Sequence, residues 1–346
     1  MHCHLVIPNL FLTLPSGHSP FQGMSLPALE TLLARGRRGA LTTESMETWL
    51  CRTFGIEKQH DWPIAPLTLM TDGGTPYQHY WLRADPVHLR VERDQIILAD
   101  SGTLSISQLE ADQLVASLNQ HFEQDGLLFY APRPDRWYLK PASQPDIQTR
   151  ILSDVTGKNI NDHLPVGPDG MRWHQLLNEI QMLFHNHPVN EAREMRGDMP
   201  INSTWIWGGG TMPDLALKPY SKIWAYDTLA QSLASVSQTP VATLPENMAT
   251  WLEQQSNSSP DLIILDSLRG AAQYGDVYGW QEAMKQLELA WFTPLLRALK
   301  QGTLNTLTIH AGNNEQILTF QITTSDLWKI WRRIKPLDTY AILSSC

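Results

Sequence analysis

The segment of residues 185–210, HNHPVNEAREMRGDMPINSTWIWGGG, constrains the fold of this chain more than any other. Its polar first part is typical of a helix end and a surface loop. Residues 203–207 are then rich in β-branched and aromatic side chains and predict a short buried strand. Three glycines follow directly, and glycine lets backbone N–H groups approach a ligand or form a tight turn. Because ligands of open α/β sheets bind just past the carboxyl ends of strands, these glycines form either a ligand-binding loop or a flexible turn.

The length and charge of the chain limit the classes of protein that it can belong to. It has 346 residues, enough for two domains or for one domain with a large insertion. Hydrophobic residues make up 42% and charged residues 18%, as is typical of a packed globular protein. The net charge of −9 disfavours nucleic acid or a membrane as a partner, because phosphates would be repelled. A local basic pocket is still allowed.

The cysteines and the first residues indicate a cytoplasmic location. Cys3, Cys51 and Cys346 lie far apart and match no zinc-binding or redox spacing. Their odd number and their separation predict reduced thiols. The opening sequence, MHCHLVIPNLFLTLP, has too short an apolar run for a membrane span and no basic lead for a signal peptide.

The first half of the chain changes its pattern near residue 71. Residues 4–7 predict a buried strand, residues 27–35 a helix, and residues 45–54 a second helix that Ser45 can cap. From about 71 to 164, short strands surround an amphipathic helix over 107–122, whose capping box runs from Ser107 to Glu110. A further helix is predicted over 169–184.

After residue 200 the chain alternates between strands and helices. Strands are predicted at 203–207, 262–265, 304–310 and 317–322, and helices at 228–237, 280–300 and 326–334. Such alternation predicts a mostly parallel sheet with helices on both faces. We therefore expect an α/β core of residues 1–70 and 189–346, interrupted by a smaller inserted α+β domain of residues 71–188.

Several motifs resemble those of the cofactor-independent phosphoglycerate mutases, especially their archaeal-type branch in the alkaline phosphatase superfamily. Residues 154–158, DVTGK, and 164–167, LPVG, are similar to that family's DITGK and LPxG segments. His187, Asn190, Arg193 and residues 200–210 are similar to its HPxN, its arginine and its PANxIWxWGxG. More closely still, the chain resembles bacterial regulatory proteins of the RpfE type. The resemblance implies an alkaline-phosphatase-like α/β fold with an inserted domain.

The same resemblance implies two metal ions, held by aspartates and histidines, that clamp the attacking and leaving oxygens. This chain departs from the family at those positions. Asn9 stands in place of the first aspartate, Arg269 and Gln273 in place of an aspartate and a histidine, and His310 keeps only half of an Asp-His pair. An arginine brings positive charge where cations should bind. We therefore expect no metal and no cofactor or, as the alternative, a single divalent metal such as Mn²⁺ or Zn²⁺.

The expected nucleophile is equally degraded. Ser45 lies about where the family has its serine, but without metals its hydroxyl lacks an activator, and a helix cap is favoured. One of the remaining acids, Asp261, Asp266 or Glu288, can survive as a metal ligand. No intact catalytic residue is expected, and the remnants of the site would be Asn9, Ser45, Asp266 and His310.

Arg193 is the candidate for ligand binding, because a guanidinium can hold a phosphate or carboxylate by a bidentate contact. Asn190 and the backbone N–H groups of Gly208, Gly209 and Gly210 would complete a site for a small anionic ligand. A solvated helix arginine is the alternative interpretation.

Three functions are therefore open. The first is a phosphoglycerate-mutase-like protein with degenerate metal sites, inactive as an enzyme and retained as a regulatory or anionic-ligand-binding scaffold. The second is a divergent metal-dependent phosphotransferase, and the third is a scaffold for a protein partner that the sequence does not identify. We expect neither nucleic acid nor a membrane among the partners.

Overall fold

The computed structural model describes residues 1–12, 19–214, 217–254, 260–313 and 315–341. The chain divides into two compact units, of which the first is Met1–Phe54 with Ala216–Cys346 and the second is Gly55–Leu215. The second unit is therefore inserted into the first. Its bounds are residues 55 and 215, so the insertion is longer at both ends than the predicted 71–188.

The strands are β1 (His2–Ile7), β2 (Arg37–Thr42), β3 (Trp81–Glu92), β4 (Gln95–Ala99), β5 (Leu128–Arg133), β6 (Arg136–Lys140), β7 (Ser203–Gly210), β8 (Ile223–Trp224), β9 (Val241–Ala242), β10 (Asp261–Ile264), β11 (Thr306–Gly312) and β12 (Ile317–Thr323). The α-helices are α1 (Pro27–Arg35), α2 (Met46–Thr53), α3 (Ile64–Thr71), α4 (Gln108–His121), α5 (Leu152–Val155), α6 (Gly170–His185), α7 (Pro188–Arg196), α8 (Thr228–Val236), α9 (Met248–Glu253), α10 (Arg269–Gln273), α11 (Val277–Leu287), α12 (Thr293–Gln301) and α13 (Asp338–Ala341).

The sheet of the first unit is parallel at its centre. Its seven strands follow the order β2-β12-β11-β1-β10-β8-β9. β1 pairs in parallel with β10 and β11, and β8 pairs in parallel with β10 and β9. Only β12 pairs antiparallel, with β11 and β2. The predicted mostly parallel sheet is confirmed.

Helices cover both faces of this sheet because side chains alternate along its strands. Cys3, Leu5 and Ile7 of β1 lie in one large apolar cluster with residues of α1, α11 and α12. On the opposite face, Trp49 of α2 packs against His310 of β11, with ring centroids 4.5 Å apart. The α/β fold class predicted from the alternating pattern is therefore correct.

The predicted helix over 280–300 contains a break in its regular hydrogen bonding. A π-helical segment, Glu288–Phe292, joins α11 to α12. The buried carboxylate of Glu288 accepts hydrogen bonds from the backbone N–H groups of Ala28 at 2.6 Å and Leu29 at 3.1 Å. These donors lie in the first turn of α1, where helical N–H groups have no partner within their own helix. Glu288 thus caps α1.

The second unit is built on an antiparallel sheet. Its strands follow the order β4-β3-β6-β5, and β7 pairs with the other side of β3. The capping box of Ser107 and Glu110 starts α4 as predicted. The core between this sheet and helices α4 and α6 is apolar, and the helices contribute Leu114, Leu118, Trp173, Ile180 and Phe184 to it.

The strand at residues 203–207 forms, but its predicted place in the parallel sheet is wrong. β7 pairs with β3 of the second unit, from Ser203 opposite Val87 to Gly210 opposite Trp81. The strand also continues through the three glycines, and all its residues are buried. Strand pairing depends on packing between distant residues, which the local pattern does not contain.

Two helix predictions are also wrong. The expected loop after residue 187 is helix α7, which begins at Pro188 and ends at Gly197 in the left-handed conformation. The expected helix over 326–334 is only a 3₁₀ helix, Thr324–Trp328, followed by turns. Apolar side chains of that segment are exposed, so no buried stripe stabilises a longer helix.

Two further sequence expectations concern the cysteines and membrane spans. Cys3 and Cys51 are buried and unpaired, while Cys346 lies outside the described residues. Within the described ranges, no helix combines the length and the apolar character needed to cross a bilayer.

Candidate functional site

Three acidic side chains surround Arg269 in the first unit. Asp227 follows β8 and Asp266 follows β10, so both lie at the carboxyl edge of the parallel strands. Glu47 comes from the first turn of α2. Ligands of open α/β sheets bind at this edge. Arg269, Glu47, Asp227 and Asp266, named here the Arg269 cluster, are therefore the candidate site of this unit.

The side chain of Arg269 forms ion pairs with Glu47 and Asp227, and its backbone forms a hydrogen bond with Asp266. Its Nη2 donates a hydrogen bond to Oε1 of Glu47 at 2.6 Å, and its Nη1 lies 3.6 Å from Oδ2 of Asp227. Its backbone N–H donates to the backbone oxygen of Asp266 at 3.0 Å. The side chains of Glu47 and Asp227 are only 7% and 10% exposed, so water screens these attractions weakly.

One guanidinium serves three carboxylates in this cluster. Burial raises the pKa of Asp227, and the charges of Glu47 and Asp266 raise it further, against the opposing effect of Arg269. Burial also raises the pKa of Asp266. Burial disfavours the charged form of Arg269, but the three acids outweigh this effect and raise its pKa. Arg269 therefore stays charged, whereas burial favours the neutral forms of Asp227 and Asp266.

The two metal ions implied by the resemblance do not fit this cluster. The guanidinium lies among the carboxylates that would have to coordinate a metal, and its charge repels a cation. In the part of the chain that the structure describes, no group of three or more His, Cys, Asp or Glu residues is arranged to hold a metal ion. Asn9, just after β1, is buried at a positive φ of 59° and brings no carboxylate.

Ser45 caps a helix, as the sequence predicts. Its Oγ accepts a hydrogen bond from the backbone N–H of Thr48 at 3.3 Å and lies 3.3 Å from the hydroxyl of that residue. This geometry satisfies one of the free N–H groups at the start of α2. The contacts of Ser45 are those of a cap and include no basic side chain that would activate a nucleophile.

His310 is buried in a chain of hydrogen bonds. Its Nε2 lies 3.1 Å from Nδ1 of His4, and its Nδ1 lies 3.0 Å from Oγ1 of Thr319. Burial lowers the pKa of His4 to about 4 and that of His310 to about 3. The charge of His2 lowers the pKa of His4 further, and the charge of His4 lowers that of His310. Both rings are therefore neutral near pH 7. Since both nitrogens of His310 have protein partners, its contacts are those of a structural residue.

Of the three acids that the sequence left as possible ligands, only Asp266 belongs to the Arg269 cluster. Asp261 accepts hydrogen bonds from the hydroxyl of Ser221 at 2.6 Å and from the indole N–H of Trp224 at 2.8 Å. Glu288 caps α1, as described above. Asp261 and Glu288 thus have structural roles.

Arg193 is fully buried in the second unit. Its Nε donates to the backbone oxygen of Met199 at 2.8 Å, and its Nη2 donates to the backbone oxygen of Leu104. Its Nη1 donates to Oε1 of Glu110 at 3.2 Å. These contacts join α7 to α4 and to two loops, and they favour a structural role. Anion binding by Arg193 stays a prediction that this geometry does not favour.

Asn190, one turn before Arg193, is also used within the unit. Its Nδ2 donates to the backbone oxygens of Phe184 and Ile201, both at 2.8 Å, and its Oδ1 accepts from the N–H of Ile201 at 2.8 Å. The amide therefore ties the end of α6 to the segment before β7. It is 2% exposed, so it does not face a solvent-filled pocket.

The three glycines of β7 allow close packing. A Cβ on Gly209 would overlap the hydroxyl of Tyr80 and lie 2.6 Å from Cδ2 of Leu82. A Cβ on Gly210 would lie 2.5 Å from Cβ of Pro63. Gly208 has a positive φ of 66°, and its N–H donates to the hydroxyl of Thr149 at 3.2 Å. The space that a ligand would need is filled by neighbouring side chains.

Glu47 and Asp227 were not among the site residues predicted from the sequence. The sequence does contain a clue to Asp227, which follows the strand residues Ile223 and Trp224 and stands at the N-cap position of the predicted helix α8. In the structure its side chain accepts a hydrogen bond from the N–H of Ala230 at 2.8 Å. Nothing in the local sequence distinguishes Glu47, because an acidic residue is common in the first turn of a helix. Its partner Arg269 is 222 residues away in the chain.

The sequence of this chain is similar to those of several known proteins. No family model matches the chain. It is 25% identical over 211 residues to a protein of Geobacter sulfurreducens named "Probable 2,3-bisphosphoglycerate-independent phosphoglycerate mutase", a match that covers 58% of this chain and 52% of that one. It is 26% identical over 221 residues to the 2,3-bisphosphoglycerate-independent phosphoglycerate mutase of Methanosarcina mazei, covering 58% and 53%. These matches span about half the length of the curated relatives.

The fold has a counterpart among solved structures. The structure of a Pyrococcus horikoshii protein aligns over 93% of this chain and 87% of its own length, with a TM-score of 0.53 and 13% identity. At this identity the likeness concerns the fold alone. The sequence matches, rather than this structural likeness, agree with the family to which the motifs pointed. The chain is thus similar in sequence to cofactor-independent phosphoglycerate mutases over somewhat more than half of its length.

Proposed function

We propose that this protein no longer catalyses metal-dependent phosphoryl transfer and serves as a regulatory or interaction scaffold. The proposal rests on the position of the Arg269 guanidinium, 2.6 Å from Glu47 and 3.6 Å from Asp227. By the resemblance, Arg269 stands where the family has an acidic metal ligand. A permanent cation there competes with the metals that would activate a hydroxyl and stabilise the transferring phosphoryl group.

The other residues that the reaction would need support the same proposal. Ser45 caps α2, and Asn9 replaces a carboxylate by a neutral amide. His310 is bonded to His4 and Thr319. Loss of metal clamping and of nucleophile activation together removes many kcal/mol of transition-state stabilisation.

An interaction role has more support than the sensing of an anionic ligand. The guanidinium of Arg193 is buried and bonded to two backbone oxygens and Glu110. Arg269 is surrounded by carboxylates, which repel anions. Both arginines are therefore engaged by acceptors of the chain itself. We also propose a cytoplasmic location, which the unpaired, buried Cys3 and Cys51 support.

The test is an assay of the purified protein with 3-phosphoglycerate and added Mn²⁺, Mg²⁺ or Zn²⁺, together with an elemental analysis for bound metal. We expect no turnover above that of the buffer and no stoichiometric metal. Metal-dependent turnover on the order of 1 per second or faster, which is normal for an enzyme, would overturn the proposal.

One observation favours a second candidate, a divergent phosphotransferase with a single divalent metal. The acids of the Arg269 cluster outnumber its one guanidinium, and the raised pKa of Asp227 reflects that imbalance as well as burial. Calorimetric titration with Mn²⁺ separates the candidates. Binding at one site that is abolished by Asp227→Asn, but not by Asp261→Asn, would favour the single-metal enzyme.

A further inference from the structure

The segment Trp328–Lys335 of the first unit exposes large apolar side chains beside cationic ones. Its sequence is WKIWRRIK, with four cationic residues and no acidic one. Trp328 is 78% exposed and Trp331 is 73% exposed, and Ile330 and Ile334 are exposed as well. Monomeric soluble proteins rarely expose large apolar side chains in such a contiguous group without a partner.

Hydrogen bonds hold the backbone of this segment in place. Nη1 of Arg332 donates to the backbone oxygens of Arg35 at 2.9 Å and Gly36 at 2.6 Å. In the opposite direction, Arg35 donates to the backbone oxygen of Lys329. The exposed indoles of Trp328 and Trp331 therefore lie on a segment that is hydrogen-bonded to the end of α1.

More positive charge lies next to the point of attachment. Arg37 and Arg38 begin β2, the edge strand of the sheet, and both side chains are exposed. Arg37 donates to the side chain of Gln321 at 2.8 Å. On the segment itself, Lys329 pairs with Asp326. Arg333 and Lys335 are exposed. Arg37, Arg38 and Trp328–Lys335 are named here the basic tryptophan surface.

This composition matches one kind of partner better than others. Tryptophan is enriched where proteins meet the headgroup region of a bilayer, and lysine and arginine there attract anionic lipids. Single-stranded nucleic acid would also attract the cations and stack on the indoles. It offers no apolar phase for Ile330 and Ile334, which a bilayer does. Charge and apolar character together therefore favour a lipid surface.

We propose that the basic tryptophan surface docks this protein on the surface of a bilayer that contains anionic lipids. This proposal departs from the expectation of no membrane partner, which rested on the charge of −9 of the whole chain. Only a local surface makes the contact, and the rest of the chain is repelled from the membrane. The contact is peripheral, with indole and isoleucine side chains entering the headgroup region. It goes beyond the proposed loss of catalysis and does not depend on it.

The experiment is cosedimentation of the full chain with vesicles of phosphatidylcholine mixed with phosphatidylglycerol, and with vesicles of phosphatidylcholine alone. We expect binding to the anionic vesicles that weakens with added salt, and much weaker binding to the neutral ones. The double variant Trp328→Ala, Trp331→Ala should lose about tenfold or more in partitioning. The double variant Arg333→Glu, Lys335→Glu should lose at least about fivefold for each cation.

Two matched controls come from elsewhere in the first unit. Tyr278→Ala removes an aromatic side chain that is 74% exposed, and Lys300→Glu reverses an exposed charge. Neither should change the binding. All the side chains replaced in the test variants are exposed, so the melting temperature of each variant should match that of the wild type.

Several outcomes would overturn the proposal. Equal binding to neutral and anionic vesicles would show that the cations do not contribute to membrane binding. Binding to neither kind of vesicle would show that the surface does not bind a membrane. Binding to a single-stranded oligonucleotide or to polyglutamate, without binding to vesicles, would assign the surface to a different partner.

Discussion

The segment from His187 to Gly210 and the Arg269 cluster differ in how their charges are satisfied. In the former, Arg193 is completely buried and donates to two backbone oxygens and one carboxylate. In the latter, Arg269 is 26% exposed and faces three carboxylates. The buried arginine of the first region is thus matched by acceptors within its own unit, whereas the Arg269 cluster holds three acids and one arginine.

The pKa values of the carboxylates beside these two arginines, Glu110 and Asp227, are shifted in opposite directions. Burial alone would raise the pKa of Glu110, but hydrogen bonds from Ser107 and Arg196 and the charge of Arg193 lower it to about 2. Asp227 has a raised pKa because burial and two neighbouring acids outweigh Arg269. The two carboxylates differ in this way because Glu110 accepts several hydrogen bonds, whereas Asp227 is buried beside other acids.

Arg193→Ala should have the largest effect on stability. It removes the donor of two backbone oxygens and one of the donors of Glu110, which keeps those of Ser107 and Arg196. Each buried acceptor left without a partner costs about 1–3 kcal/mol. Urea denaturation monitored by circular dichroism measures the change. Arg196→Ala is the control, since Arg196 also donates to Glu110 but is 53% exposed, and it should change little. A small effect of Arg193→Ala, together with loss of phosphate binding, would restore Arg193 as a ligand-binding residue.

Gly209→Ala should destabilise the second unit by about 2 kcal/mol, because overpacking in a filled core typically costs 1–3 kcal/mol. The new methyl group would overlap Tyr80 and Leu82. Gly270→Ala in α10 is the matched control, because a Cβ there meets nothing within 4 Å. It should be neutral or slightly stabilising, since alanine is the better helix former. Equal melting temperatures for the two variants would contradict close packing around Gly209.

Arg269→Ser should destabilise the first unit by about 1–2 kcal/mol at neutral pH, because Glu47 loses a charged hydrogen-bond donor and Asp227 loses an ion-pair partner. The pKa values of Asp227 and Asp266 are raised by burial and should rise further without Arg269. A folded protein with raised carboxyl pKa values holds more protons than its unfolded chain. The variant should therefore lose stability as the pH rises above the ordinary carboxyl range, about pH 4, and regain it on acidification.

Adding Mn²⁺ to the unfolding experiment tests whether Arg269 keeps a cation away from the neighbouring acids. Removing the guanidinium takes away the charge that repels a cation from Glu47 and Asp227, so Mn²⁺ should raise the melting temperature of Arg269→Ser more than that of the wild type. Identical shifts in both proteins would show that Arg269 does not block a cation from these acids.

Ser45→Ala should have the smallest effect, a loss of about 1 kcal/mol from an uncapped helix. Ser45→Thr keeps a hydroxyl that can cap and should restore most of that stability. Thermal unfolding of the three proteins measures it. Unchanged stability in Ser45→Ala would mean that the hydroxyl of Ser45 does not cap α2.

Sequence patterns were sufficient where the cause of a structure is local. The helix α1 follows from its apolar spacing and Pro27, and α4 follows from the capping box of Ser107 and Glu110. The order of strands and helices in the first unit also predicted the parallel sheet. Each of these signals lies within a few residues of the element that it specifies.

The site residues depend on contacts that the local pattern does not contain. Glu47 and Arg269 are brought together by the fold across 222 residues, so neither position reveals the other. The glycines of β7 have the same limitation, because only the positions of Tyr80, Leu82 and Pro63 show that they are required for packing. Glycine by itself is equally consistent with a turn or a ligand loop.

The π-helical segment Glu288–Phe292 has a consequence for how this chain is aligned with its relatives. A π turn is in effect a single residue inserted into an α-helix, and one residue rotates the following helical face by about 100°. Side chains of both α11 and α12 belong to the same apolar core on either side of this segment. A relative with an unbroken helix here would need a one-residue gap within this segment. An alignment drawn without that gap would pair α12 with the wrong face of its counterpart from Thr293 onward.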